Sequence, residues 1–293
     1  MDQSLLRFAQ LQSRTDVTFW MEFGERKLNE YKLSEAPVEI TGWLGASTYS
    51  EVPTAIQLDA SSFPDAAATS AAMQQEQADA AALPGVCAAS ATRQGMHQVP
   101  GTLLHSNTLD ALNREDKVAA LNKVAAQLWA DIASGAAEAE PRLLCKFLLL
   151  AHVDLKHYKV TYWCAFPALL PPSPFTTDAA GGCAPLASAV GPEAAAQVAA
   201  ACNAWRFPAD AAAASATSSS PSQPPAPYWL LHSKAGDWSD TVAAPLSAWS
   251  SLQAGAGAGS PHKTALALVD PCNTPEHPGW PLRNALLLAS TRW

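Results

Sequence analysis

The sequence predicts an α+β protein, a mixed sheet with packed helices, and three observations carry that reading. From Val160 to Phe166 the chain alternates with a period of two in β-branched and aromatic residues, the pattern of a strand. Just before it, Phe147 to Ala151 is a dense apolar run, read as part of a mostly helical lead-in to that buried strand. Asn113 to Gly135 keeps apolar residues at i, i+3, i+4 and i+7, the signature of an amphipathic helix.

Taken in order, Thr15 or Asp16 caps a first helix whose buried face is Val17, Trp20, Phe23, Leu28 and Tyr31. Val38 to Trp43 and Val52 to Leu58 are short and apolar enough for strands. From Ser61 to Gln94 the composition turns to Ala, Ser and Gln, which offers a core almost nothing large to pack. The Asn113 to Gly135 helix takes Asn113 as N-cap, Glu115 and Asp116 in its first turn, and Gly135 just past its end. Its stripe, running through Leu128, packs against the sheet. Trp20, Trp129 and Trp163 all read as core residues. After Pro171 a second low-complexity region begins. Within it Ala187 to Asn203 reads as a helix, and Ala209 to Pro227 as unstructured. Tyr228 to His232 and Thr264 to Val269 are strands, and Pro281 opens a last helix with an apolar face of Leu282, Ala285, Leu286 and Ala289. The expectation is one domain over residues 1–293, with low-complexity insertions at about 61–95 and 171–227.

Composition excludes several classes of function. The chain has 293 residues, a formal charge of -8 and a pI near 5.3. It therefore lacks the basic face that a nucleic-acid backbone requires. No apolar window reaches the roughly 18 residues of a transmembrane helix, and Met1 to Gln10 lacks the pattern of a secretory signal. Cysteines at 87, 145, 164, 183, 202 and 272 show no CxxC spacing, as for reduced cytosolic thiols.

Catalytic signatures fail on spacing. Gly255 to Gly259 is followed by Lys263-Thr264, but Ser-Pro-His stands where a phosphate loop needs its Lys directly after Gly. Cys272 and His277 lie near each other without zinc-like spacing, and the predicted helix starts too late to lower the thiol's pKa. His152 and His157 are five apart, so they share no helical face. No metal site is predicted. Trp280, held between the two prolines Pro278 and Pro281 with Arg283 just beyond, has the residue mix of a protein-binding hot spot. Trp280 and Arg283 are the candidate partner-binding residues, beside the plainer reading of Trp280 as a core residue stapling the loop to the sheet.

Three blocks of sequence then resemble one family. Phe19-Trp20, Lys27 to Tyr31 and Glu35-Ala36-Pro37 form the first. Gly101-Thr102-Leu103, Asn107-Thr108-Leu109, Lys146 to Leu150, Asp154-Leu155-Lys156 and Tyr162-Trp163 form the second. Asp270 to Asn273 with Pro278 to Asn284 form the third. In this order they resemble the N-terminal domain of the autophagy E1-like enzymes that activate ubiquitin-like modifiers, the autophagy-related protein seven family. The resemblance implies a non-catalytic domain that recruits E2 conjugating enzymes by holding a flexible E2 segment in a groove. Adenylation with ATP and Mg, thioester formation and contact with the ubiquitin-like modifiers are implied for a further domain absent from this chain, so no cofactor and no catalytic residue carry over. It also implies a cytoplasmic protein acting at the pre-autophagosomal structure. The family domain continues past the position of Trp293, so the C-terminal edge is read as truncated. An alternative is a free-standing adaptor or competitor that binds the E2 without activating a modifier.

Overall fold

The computed structural model describes residues 5–8, 12–45, 55–64, 96–176, 184–207, 226–255, 261–272 and 277–293. They fall into two units, Leu11–Leu128 with Cys145–Pro167, and Met1–Gln10 with Trp129–Leu144 and Ala168–Trp293.

The first unit is organised by six strands: β1 (Gln12–Thr15), β2 (Val38–Leu44), β3 (Ala55–Leu58), β4 (His97–His105), β5 (Phe147–Asp154) and β6 (Lys159–Ala165). Their order is β1-β3-β2-β4-β5-β6. β1 pairs parallel with β3 and β4 parallel with β5, and the other pairs are antiparallel, so the sheet is mixed as the sequence predicts. Phe147 to Ala151 is a strand rather than a helical lead-in. All five residues are buried, and a strand covered on both faces loses its alternation.

Besides β5, two strands of this sheet escape the sequence pattern, β1 and β4. β4 contains Pro100 and Gly101, which read as breakers. Its partner β5 begins opposite Gly101, so at Pro100 only β2 lies alongside, and a missing N–H is tolerated as at a sheet edge. Gly101 is needed for space. A Cβ there would lie 2.1 Å from Cζ of Phe147, and one on Gly42 in β2 would lie 3.0 Å from Cε1 of the same ring. The two glycines form the floor of a slot that the Phe147 ring fills.

Helix α1 (Val17–Arg26) covers one face of the sheet. The Asp16 side chain caps it by accepting from Thr18 N at 2.9 Å. Phe19 and Phe23 are its buried aromatic residues, and both stack on Phe63, with centroids 5.0 and 6.3 Å away. Phe63 lies in the stretch read as low-complexity, so ordered core extends into it; residues 65–95 lie outside the described residues. Val17 and Leu28, placed on the buried face by the sequence reading, are exposed. After Arg26 the chain passes into a π-helical turn, Lys27–Tyr31, which breaks the 3.6-residue register that the reading assumed.

The opposite face is covered by α2 (Leu109–Arg114) and the early turns of α3 (Lys117–Ser134). Leu112, Ala120 and Val124 pack on Leu148 and Leu150, with Leu104, Leu121 and Trp163 at the margin. The predicted single helix from Asn113 is thus two. Glu115 leaves helical geometry (ψ 128°), and Asp116 caps α3 by accepting from Ala119 N at 2.9 Å. Gly135 does close the helix in the left-handed region (φ 84°), where a Cβ is disfavoured. Leu128 is fully buried, but Trp129 is 45% exposed because one residue is about 100° around a helix.

In the second unit α3 is followed by the short α4 (Ala136–Ala139). Further on lie α5 (Leu186–Val190) and α6 (Pro192–Arg206), the helical stretch that the sequence predicts at Ala187 to Asn203. A small antiparallel sheet places β7 (Tyr228–Ser233) between β8 (Val242–Ala244) and β9 (Lys263–Leu268). Val198 of α6 packs with Trp229, Leu231 and Val269, and Trp205 stacks on Trp229 at 6.3 Å. α7 (Trp249–Ala254) and α8 (Trp280–Arg292) complete the unit.

Candidate functional site

The segment from Asp270 to Arg283 is built around one carboxylate. Asp270 accepts from Cys272 N and from Gly279 N, both at 2.8 Å, and so ties Cys272 to Gly279; residues 273–276 lie outside the described residues. A Cβ on Gly279 would meet the Asp270 carboxylate at 2.5 Å, so glycine is required for this approach. α8 then starts at Trp280, with Pro281 in its first turn, where a missing N–H leaves no bond unmade. Tyr228 of β7, fully buried, donates its hydroxyl to Pro281 O at 3.0 Å.

The next two residues clamp backbone. Arg283 Nε donates to Leu169 O at 3.1 Å, and its guanidinium lies 5.8 Å from the Phe8 ring centroid. Buried Asn284 donates to Leu144 O at 2.9 Å and accepts from Leu169 N at 3.4 Å. Trp280 and Arg283 therefore sit together in the first turn of α8, both half-buried, and Arg283 is already engaged in holding the 168–170 segment. Asn284→Ala is expected to cost about 2–3 kcal/mol, since it strands the buried Leu144 carbonyl and the half-buried Leu169 N–H. Urea denaturation measures this, and a loss below about 0.5 kcal/mol would contradict the clamp.

The other residues weighed from the sequence each make local contacts of their own. Cys272 Sγ donates to the backbone carbonyl of His277 at 3.3 Å. Burial pushes the Cys164 thiol up to about 11 and raises that of Cys202 as well, which disfavours a thiolate at either. His152 Nδ1 lies 3.0 Å from Ser106 O, and His157 Nδ1 lies 2.7 Å from Asp154 Oδ2 in the β5–β6 turn. Lys263 and Thr264 begin β9, and Thr264 Oγ1 contacts His232 Nδ1 at 3.1 Å. Residues 256–260 of the glycine run lie outside the described residues. Among the described residues no group of three or more His, Cys, Asp or Glu could hold a metal ion, and no helix is long and apolar enough to cross a membrane.

One polar cluster is not among the candidate sites that the sequence offers. Lys27 Nζ donates to Ser34 O at 2.7 Å and lies 3.1 Å from Nδ1 of His105, while Tyr31 stacks on the same imidazole at 5.5 Å. Asn107 donates its side-chain amide to Leu33 O at 2.8 Å and its N–H to the Glu35 carboxylate. Burial first, and then the Lys27 charge, hold His105 below its ordinary pKa. Burial also lowers Lys27, against the pull of Glu35. The cluster ties the segment after α1 to the end of β4. Its two halves, Lys27 to Glu35 and His105 to Asn107, are joined by contacts more than 70 residues apart, so no spacing rule links them.

Residues 6–293 match the family model described as "Ubiquitin-like modifier-activating enzyme ATG7 N-terminus". Among curated relatives, the ubiquitin-like modifier-activating enzyme ATG7 of Rattus norvegicus is 36% identical over 294 residues, and that of Homo sapiens 32% over 290. Each alignment covers 99% of this chain and 35% of the relative, so the chain spans about a third of their length. Among solved structures, a Kluyveromyces marxianus Atg7NTD–Atg10 complex aligns with a TM-score of 0.55 at 15% identity, over 99% of this chain and 79% of the other. The K. marxianus Atg7NTD aligns with a TM-score of 0.52 at 15% identity, over 97% and 80%. At that identity the likeness is one of fold.

Proposed function

Because the chain belongs to the ATG7 N-terminal family, we propose that it is the non-catalytic, E2-recruiting domain of an autophagy E1-like enzyme. The observation that carries this is the fold. It aligns over nearly the whole chain with Atg7NTD, including one captured with Atg10, a partner of the E2 class that the family resemblance implies. In this reading the domain holds an E2 through a flexible segment that orders on binding. Modifiers are activated with ATP in a part of the enzyme outside these residues and passed to the E2 held here. The protein acts in the cytoplasm.

Trp280 and Arg283 enter this reading as a brace. Arg283 fixes Leu169, and Trp280 opens α8 beside it. Trp280→Ala is expected to weaken E2 binding about tenfold while the chain stays folded. Unchanged affinity in a folded variant would remove Trp280 from the binding surface. For the function itself, the purified chain should co-elute with the E2 in gel filtration and give no ATP–pyrophosphate exchange. Exchange by this chain would overturn the non-catalytic assignment.

A further inference from the structure

His105 ends β4 with its side chain buried, and the contact it makes there fixes its proton. Lys27 Nζ stands 3.1 Å from its Nδ1, and an ammonium has donors but no lone pair. Nδ1 must therefore accept, which leaves the ring neutral with its one proton on Nε2. A second proton has only Nδ1 to go to. It would occupy the lone pair to which Lys27 donates and set two cations side by side.

The groups around the ring come from four elements. Phe23 of α1 meets it edge-on at 5.4 Å, and the π-helical turn supplies Lys27 and the stacked Tyr31. The segment after the turn supplies Glu35 and the Ala36 backbone, and Ala151 of β5 lies opposite in register. His152, next along β5, falls on the other face of the sheet, with its Nδ1 at Ser106 O. Glu35 and the Ala36 backbone favour a charged ring, but burial and the Lys27 charge oppose it and prevail. Tyr31 offers an imidazolium only the weak attraction of a ring face, less than the repulsion from an ammonium at hydrogen-bond distance.

What this contact holds is lightly built. Residues 32–37 are exposed and belong to no helix or strand, and Lys32 enters them at φ 51°, which a residue with a side chain rarely adopts. Ser34 N donates to Tyr31 O at 2.8 Å and Ala36 N to Ser34 Oγ at 3.2 Å, so these bonds stay within the segment. Lys27, which also donates to Ser34 O, joins that turn to β4. β4 is held in the sheet by β2 and β5, so when the contact fails the segment yields and the strand stays. We infer that Lys27 and His105 form a proton-operated latch: the neutral ring holds residues 27–36 against the end of β4, and a proton on Nδ1 lets the turn go. Asn107 keeps its bonds to Leu33 and Glu35, so the opening is local. The folded chain takes up this proton less readily than the unfolded chain. The latch's share of stability is therefore whole well above about pH 6.5 and is lost as the pH falls below it.

The test is amide hydrogen exchange of the whole 293-residue chain at about pH 7.5 and about pH 5.5, corrected for intrinsic rates. On acidification, protection across residues 27–36 falls about tenfold while that of α3 is kept. His105→Asn offers an oxygen near the place of Nδ1 and does not titrate, so protection there becomes independent of pH. Lys27→Met keeps the apolar stem and removes the charge. Protection is then low at both pH values, and the His105 titration, followed by nitrogen-15 spectra, moves upward. The same spectra of the wild-type chain read the tautomer, with the proton on Nε2 expected at about pH 7.5. A proton on Nδ1 at that pH, or protection of residues 27–36 that ignores pH, overturns the latch. So does a His105→Asn chain that loosens on acidification as the wild type does, or a loss of protection that α3 shares equally.

Discussion

Gly101→Ala is expected to destabilise the protein by about 3 kcal/mol or more, although it adds a single methyl group. Overpacking a core costs about 1–3 kcal/mol where neighbours can yield. Here they cannot. The added Cβ would fall between 2.1 and 2.5 Å from three atoms of the Phe147 ring, and that ring is fully buried. It is also bounded by Gly42 on β2 and by Phe166, whose ring centroid is 6.2 Å away. The parallel pairing sets Gly101 directly opposite Phe147, so the ring cannot slide without breaking the β4–β5 register. Urea unfolding of the single variant measures the cost. In a Phe147→Leu background the same change should cost much less, because the two sites are coupled. A loss below about 1 kcal/mol in the wild-type background would contradict the slot.

Leu128→Asp is the second large effect, at about 4 kcal/mol, from burying a carboxylate with no partner where a leucine is fully buried. The matched control is Val118→Asp on the same helix. Val118 is 69% exposed, so its substitution should cost less than about 1 kcal/mol. Periodicity alone puts both residues on one stripe, whereas the structure separates them. Equal losses at the two positions would contradict the orientation of α3.

The sequence told the class of the fold because its strongest signals were of the kind that burial on one face produces. Alternation from Val160 onward and the long helix through Leu128 both survive, and so do β2, β3, β7, β9 and the start of α8. What stayed hidden depends on space rather than pattern. The Phe147 to Ala151 run has no period because both its faces are covered. Gly101 and Pro100 disguise a strand whose glycine exists to admit a ring from a neighbouring strand. Phe63 stood at the head of an Ala-rich tract and looked isolated, yet it stacks on Phe19 and Phe23. Val17 and Leu28 share one side of the helix by the 3.6-residue rule, but that side faces outward, and Phe19 and Phe23 carry the buried side.

The candidate site was legible in part. The residue mix around Trp280 and Arg283 drew notice as a binding pair, but Arg283 holds Leu169, and Asn284 beside it carries the more buried bonds. Val17 and Leu28 were read as core because exposure and burial give the same period.

The most direct measurement of the central claim is a calorimetric titration of the folded 293-residue chain with the flexible segment of the E2. The account predicts saturable one-to-one binding in the micromolar range or tighter, about -8 kcal/mol at 1 μM. It also predicts a negative heat-capacity change from the apolar surface that is covered. A cooperatively folded chain that takes up no segment would contradict it.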